Sequence, residues 1–261
     1  MHADPSFPLT SFPLTTIFAF LLVLARVSGA FVFVPVPGFS AGPEPVRIAL
    51  CLAVTLGVYP LWPVLHSVPD GGTLVGWLIM EVALGLTVGL VVGFLSEAFG
   101  FFGQMISLHS GYSFASTIDP NTQADSGLIV ILAQSVAGLL FFTLGLHREV
   151  IRIFCRSLET HPPGSFTLSA ATVEGVFRIG STIFSTGLRL AFPVIGLLMM
   201  ADLALALLSR INAQLQLNTL SFPAKTLAML AVLALLMPVA ARVYHDYAAR
   251  LFEAIPALLG L

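Results

Sequence analysis

Six apolar stretches, at 16–36, 48–65, 72–96, 127–146, 180–208 and 227–243, recur along the 261-residue sequence. Each is close to the roughly 20 residues an α-helix needs to cross the hydrocarbon of a bilayer. In hydrocarbon every backbone amide must find its partner inside the protein, which leaves helices or a closed barrel. Barrel strands alternate apolar and polar residues over segments of about ten, and no such alternation occurs here. The expected fold is therefore all-α, a polytopic membrane protein of about six hydrophobic, kinked helices forming a single membrane domain over 1–261.

Composition narrows the reading further. Hydrophobic residues make up 57% of the chain and charged residues 9%, against roughly 25% charged in a soluble domain. The formal net charge is −2, and Arg148, Arg152 and Arg156 are the nearest approach to a basic cluster, so nucleic-acid binding is not indicated. Cys51 and Cys155 lie in apolar surroundings without a CxxC pair, which points to packing and away from a disulfide or zinc site. No Walker A loop, HExxH helix, GxSxG elbow, haem-spaced His pair or diphosphate-binding acidic cluster occurs, so neither an enzyme nor a cofactor is expected.

The breaks between stretches carry turn chemistry: Pro35, Pro37, Gly38, Gly42, Pro43 and Pro45, then Asp70-Gly71-Gly72, then His161-Pro162-Pro163-Gly164. The leading 14 residues lack Lys and Arg and carry Asp4, so the basic start of a secretory signal is missing and the first stretch is expected to stay as a membrane helix. With six spans, the excess of Arg on one side favours cytoplasmic termini.

Residues at odds with their apolar surroundings are the functional candidates. Arg26, Glu81, Arg189 and Asp202 fall within apolar stretches, where an unpaired charge costs a few kcal/mol, so they should face protein or water. For Arg26, Glu81 and Asp202 a proton relay is one reading; a structural ion pair or a polar lumen lining is the other, favoured one. Gly85, Gly89 and Gly93, flanked by Glu81 and Glu97, recur every fourth residue and put a glycine stripe on one helix face. Such stripes permit close helix crossings within a chain or between subunits. Arg148, Arg152 and Arg156 share a helical face suited to headgroups or a partner.

The stretch from 100 to 127 mixes polar and sticky residues, with Gln104, His109, Ser113 and Asp125 among Met105, Tyr112, Phe114 and Ile118. Non-helical backbone at membrane depth is tolerated where it is buried in protein or lines a cavity. A re-entrant or pore-occluding loop over about 108–127 is therefore expected, with an ordinary surface loop as the alternative.

A family resemblance rests on specific residues. Leu24-Ala25-Arg26-Val27-Ser28-Gly29 is followed by Pro35 and Gly38; Glu81 stands with Gly85 and Gly89; and Gly111-Tyr112-Ser113-Phe114-Ala115-Ser116-Thr117-Ile118-Asp119-Pro120 matches a G-x-x-F-A-x-x-x-D-P loop. Arg189-Leu190-Ala191-Phe192-Pro193-Val194, Leu208-Ser209-Arg210, Gln214-Leu215-Gln216 and Phe222-Pro223-Ala224-Lys225-Thr226 continue the pattern to the C-terminal half. The chain resembles, nearly end to end, the FliR family, the R subunits of the bacterial flagellar export gate, which are similar to the T subunits of virulence type III secretion systems. Pro43-Glu44-Pro45 and Asn218-Thr219-Leu220 depart from the family's usual residues.

The resemblance implies a multi-pass inner-membrane subunit of the flagellar basal body, assembled with the P and Q subunits (FliP, FliQ) and with FlhB into a helical gate that passes unfolded rod, hook and filament proteins. It also implies that Gly111, Tyr112, Phe114, Ile118, Asp119 and Pro120 form a plug, and that Arg210, Gln214, Gln216 and Lys225 belong to a polar hairpin. The injectisome equivalent and a secondary transporter of a small solute are the alternative readings.

Overall fold

A computed structural model describes residues 13–34, 44–65, 69–110, 127–211 and 217–260. Every regular element among them is helical: α1 Leu14–Phe31, α2 Glu44–Gly57, a 3-10 turn at Tyr59–Leu61, α3 Gly71–Ser110, α4 Leu128–Thr143, α5 Leu146–Thr160, α6 Ala170–Gly180, α7 Thr182–Ile211 and α8 Leu217–Leu259. The all-α expectation holds, as hydrocarbon requires of a chain this apolar.

Among the described residues, the segments long and apolar enough to cross a membrane are Leu14–Phe31, Gly71–Ser110, Ala170–Arg210 and Lys225–Leu259. The α4–α5 pair, bent by 65°, would add one broken span. The bend falls at Gly145, whose φ of 72° is left-handed backbone that suits glycine. The stretch expected at 48–65 is helical only to Gly57, because Pro60 lacks the N–H that would continue the ladder and the chain tightens into the 3-10 turn.

The third stretch departs most from expectation. It runs 40 residues, to Ser110, where the sequence pointed to an end at 96 followed by non-helical chain. Its polar residues here satisfy the helix's own carbonyls: His109 Nδ1 lies 2.9 Å from Met105 O, and Ser110 Oγ donates to Ser107 O at 3.2 Å. At the other end Asp70 caps the helix. Its carboxylate accepts from Thr73 Oγ1 at 2.5 Å and from Thr73 N at 3.4 Å, and these hydrogen bonds hold its pKa below the ordinary carboxylate value.

The core is arranged around α3, against which α1, α4, α7 and α8 all pack. Leu84, Val88, Val91, Leu95 and Ala98 of α3 meet Phe141 and Phe154 from the α4–α5 pair, Ala191, Val194 and Leu198 from α7, and Tyr244 and Ile255 from α8. A smaller cluster joins Val23 and Val27 of α1 to Cys51, Val58 and Leu158, with Trp62 and Cys155 packed against it. Both cysteines are free and serve as apolar filling in that cluster.

Candidate functional site

Two features converge where α1 crosses α3: a glycine-lined contact and a buried charge pair. A Cβ on Gly85 would collide with the Arg26 carbonyl oxygen, and one on Gly89 with that of Ala30. At Gly93 it would meet Phe33 O at 2.9 Å, and on the α1 side a Cβ at Gly29 would meet Val82 O at 2.7 Å. Only glycine lets the two backbones lie this close, so the stripe read from the sequence is occupied here by a helix of the same chain. Gly103 and Gly187 do the same for α4 and α7, where a Cβ would stand 2.9 Å from Val130 Cα and 2.7 Å from Ala98 O.

That proximity seals Arg26 and Glu81 from solvent. Arg26 Nε donates to Glu81 Oε2 at 2.5 Å, with both side chains 0% exposed. Arg26 Nη1 donates to Ser157 Oγ at 3.1 Å and Nη2 to the carbonyl of His161 at 2.8 Å. The second Glu81 oxygen accepts from Gly164 N at 3.3 Å. A buried charge is tolerable only when paired and hydrogen-bonded, and here each guanidinium nitrogen and each carboxylate oxygen has a partner, drawn from α1, α3, α5 and the following turn.

The turn is shaped for the task. Gly164 has φ 85°, and a Cβ there would run into the Trp77 indole, so the His161-Pro162-Pro163-Gly164 turn folds over Glu81 only because its last residue has no side chain. His161 Nε2 lies 2.6 Å from Leu259 O, which ties the same turn to the end of α8. Ser157, His161 and Gly164 were not singled out as site residues from the sequence. The turn composition was visible, but its contact with residues 83 and 135 positions away was not.

The node thus joins α1 to α3, α5 and the following turn through one buried pair of opposite charges.

The remaining candidates lie elsewhere. Asp202 of α7 pairs with Lys225 of α8, 50% and 19% exposed. Arg189 faces a polar cleft between α7 and α8, and Arg210 and Glu97 are exposed. Gly111, Tyr112, Phe114, Ile118, Asp119 and Pro120, and likewise Gln214 and Gln216, lie outside the described residues. No group of three or more His, Cys, Asp or Glu able to hold a metal ion occurs among the described residues.

With the α1–α3 contact and the helical core in place, comparison with known proteins becomes informative. The family described as "Bacterial export proteins, family 1" matches residues 17–251. This chain belongs to that family. Bacterial export proteins of family 1 that resemble it include the flagellar biosynthetic protein FliR of Escherichia coli K12, 29% identical over 92% of this chain and 90% of its own length. FliR of Pectobacterium carotovorum is 31% identical over 92% and 89%, and FliR of Bacillus subtilis 24% identical over 93% and 95%. The family match takes in Arg26, Glu81, Ser157, His161 and Gly164, so the whole charge node lies within the export-family region. As a membrane-integral member of an export family, the chain has to reconcile tight internal packing on α3 with large apolar surfaces on its outer helices.

Proposed function

We propose that this chain is a channel-forming subunit of the flagellar protein export gate in the bacterial inner membrane. In that role it works with the P and Q subunits and with FlhB to pass unfolded rod, hook and filament proteins into the growing flagellum. The observation that carries the reading is the near end-to-end match to flagellar biosynthetic proteins from distantly related bacteria.

The distribution of apolar surface supports an assembled role. Phe192, Met199, Met200, Leu203, Leu227 and Leu235 on α7 and α8 are all more than half exposed. The α7–α8 pair is thus apolar on faces that the described residues leave exposed, and lipid together with neighbouring subunits would cover them. The α1–α3 unit, by contrast, is rigidly closed by the glycine contact and the charge node, which suits a fixed frame around a moving gate. In this reading residues 111–120 form the plug, with Tyr112, Phe114 and Ile118 blocking ions through apolar contact and Gly111 and the Asp119-Pro120 pair flanking the segment that moves.

The test is purification of the tagged protein from its native membrane in mild detergent, with mass spectrometry of what accompanies it, alongside motility of a strain lacking its gene. Recovery of the P and Q subunits and loss of motility, restored by the gene in trans, are expected. A chain recovered alone, together with an unaffected flagellum, would overturn the reading in favour of a solute transporter or a virulence secretion role.

A further inference from the structure

Where α7 and α8 run side by side, a polar cleft opens between them. Ser185, Thr186 and Arg189 share one face of α7, and Asp246, Tyr247 and Arg250 share one face of α8. Tyr247 OH is held 3.1 Å from Thr182 Oγ1, which fixes that wall. Asp246 Oδ1 lies 3.6 Å from His245 Nδ1. Neither Arg189 nor Arg250 makes an ion pair or hydrogen bond among the described residues. Two guanidinium groups thus share a concave surface with hydroxyls and one carboxylate, and neither is held in an ion pair among the described residues.

The position of the cleft matters as much as its lining. Residues 190–208 of α7 carry Asp202 as their sole charged residue, and residues 227–241 of α8 carry none. Asp202, with its partner Lys225, lies 13 residues beyond Arg189, roughly 20 Å further along the helix at 1.5 Å per residue. The cleft therefore lies just outside the most apolar runs of both helices. Phe192, 60% exposed, follows Arg189 by three residues and Val239, 48% exposed, precedes the cleft-lining Val243 by four, so each continues the cleft face of its helix with apolar surface.

We propose that this cleft seats the phosphate group of a phospholipid, with Arg189 and Arg250 holding the phosphodiester and Asp246 accepting the ammonium of a phosphoethanolamine headgroup. Guanidinium groups match phosphate oxygens in a planar, charge-assisted geometry. Basic pockets between membrane helices are suited to lipid headgroups. A purely anionic ligand would leave Asp246 facing like charge; a zwitterion uses all three charged groups. The bound lipid would then fix the α7–α8 pair against the bilayer surface.

The full-length protein, purified in mild detergent, is mixed with phosphatidylethanolamine, phosphatidylglycerol or inorganic phosphate, and retained ligand is read by native mass spectrometry. The wild type is expected to keep phosphatidylethanolamine, and the Arg189→Gln/Arg250→Gln double variant to keep roughly tenfold less. Asp246→Asn should lower phosphatidylethanolamine retention while sparing phosphatidylglycerol. Arg189→Lys/Arg250→Lys, which keeps both charges but loses the planar fork, should fall between the wild type and the Gln double variant. Equal phosphatidylethanolamine retention by wild type and the double variant would overturn the site. So would an unchanged preference between the two lipids in Asp246→Asn, a variant that reports even if the double variant fails to fold. Displacement of lipid by millimolar inorganic phosphate would overturn the lipid assignment in favour of a soluble phosphate.

Discussion

Arg26 of α1 and Glu81 of α3 stand 55 residues apart in sequence and 2.5 Å apart in space, in an ion pair sealed from solvent and tied at its edges to Ser157, His161 and Gly164. A charge pair of this kind contributes most through what its loss would leave behind. Either partner alone would be an uncompensated charge in a low-dielectric interior, whereas the two together hold three helices and a turn in one register.

Removing one partner should therefore hurt far more than removing both. Arg26→Ala or Glu81→Ala is expected to lower stability by about 3–5 kcal/mol. The Arg26→Met/Glu81→Met double variant should recover much of that loss. Thermal unfolding in detergent of the single and double variants measures the difference, and purely additive effects would mean that the two side chains do not depend on each other.

The glycine contact makes a position-specific prediction. Gly85→Ala and Gly89→Ala place a methyl against a carbonyl oxygen of α1 and should cost about 1–3 kcal/mol through separation of the helices. Gly76→Ala lies on the same helix with nothing near its Cβ and should be neutral, or stabilising by about 0.5–1 kcal/mol. Melting temperatures of the three variants decide whether close approach, and not helix propensity, is what matters.

Replacement of residues 111–120 by a short Gly/Ser linker should let ions leak across the membrane if this segment plugs a channel. Membrane conductance in cells expressing the variant is the readout, and unchanged conductance would sink the plug assignment.

The start of α3 should respond to acid. Asp70 has a pKa depressed from 3.8 by hydrogen bonds from Thr73. A carboxylate with a lowered folded-state pKa contributes stability that is present above the unfolded value and lost as pH falls through the folded one. Protection of the Thr73 amide against hydrogen exchange, taken relative to its intrinsic rate at each pH, should therefore be present at neutral pH and fall as pH drops below 3.8. That protection should already be reduced at neutral pH in Asp70→Ala.

Several of these features could be anticipated from residue types and spacing. Glycines at every fourth position predicted a close contact, and Gly85 and Gly89 lie on one; whether the neighbour belonged to the same chain was open, because spacing describes one face and not what approaches it. Charges inside apolar stretches were expected to face protein or water, and Arg26 and Glu81 face protein. The continuation of α3 from 96 to Ser110 was not anticipated, since His109 and Ser110 looked like loop residues until their hydrogen bonds to carbonyls of the same helix were in view. The helix at 48–65 stops early because Pro60 cannot donate to the helical ladder.

The sequence by itself determined that this chain is helical and membrane-integral, because a run of apolar residues in hydrocarbon leaves the backbone no partner but itself. It also marked the positions where backbones could meet closely and where charge would need company. Only the tertiary structure decided that Arg26 would find Glu81, Ser157 and the turn at His161, and that Arg189 would share a cleft with Arg250. Those pairings depend on the rotation and crossing of helices far apart in sequence, and that geometry is set by how side chains and glycines interlock across α3, which periodicity along one helix does not specify.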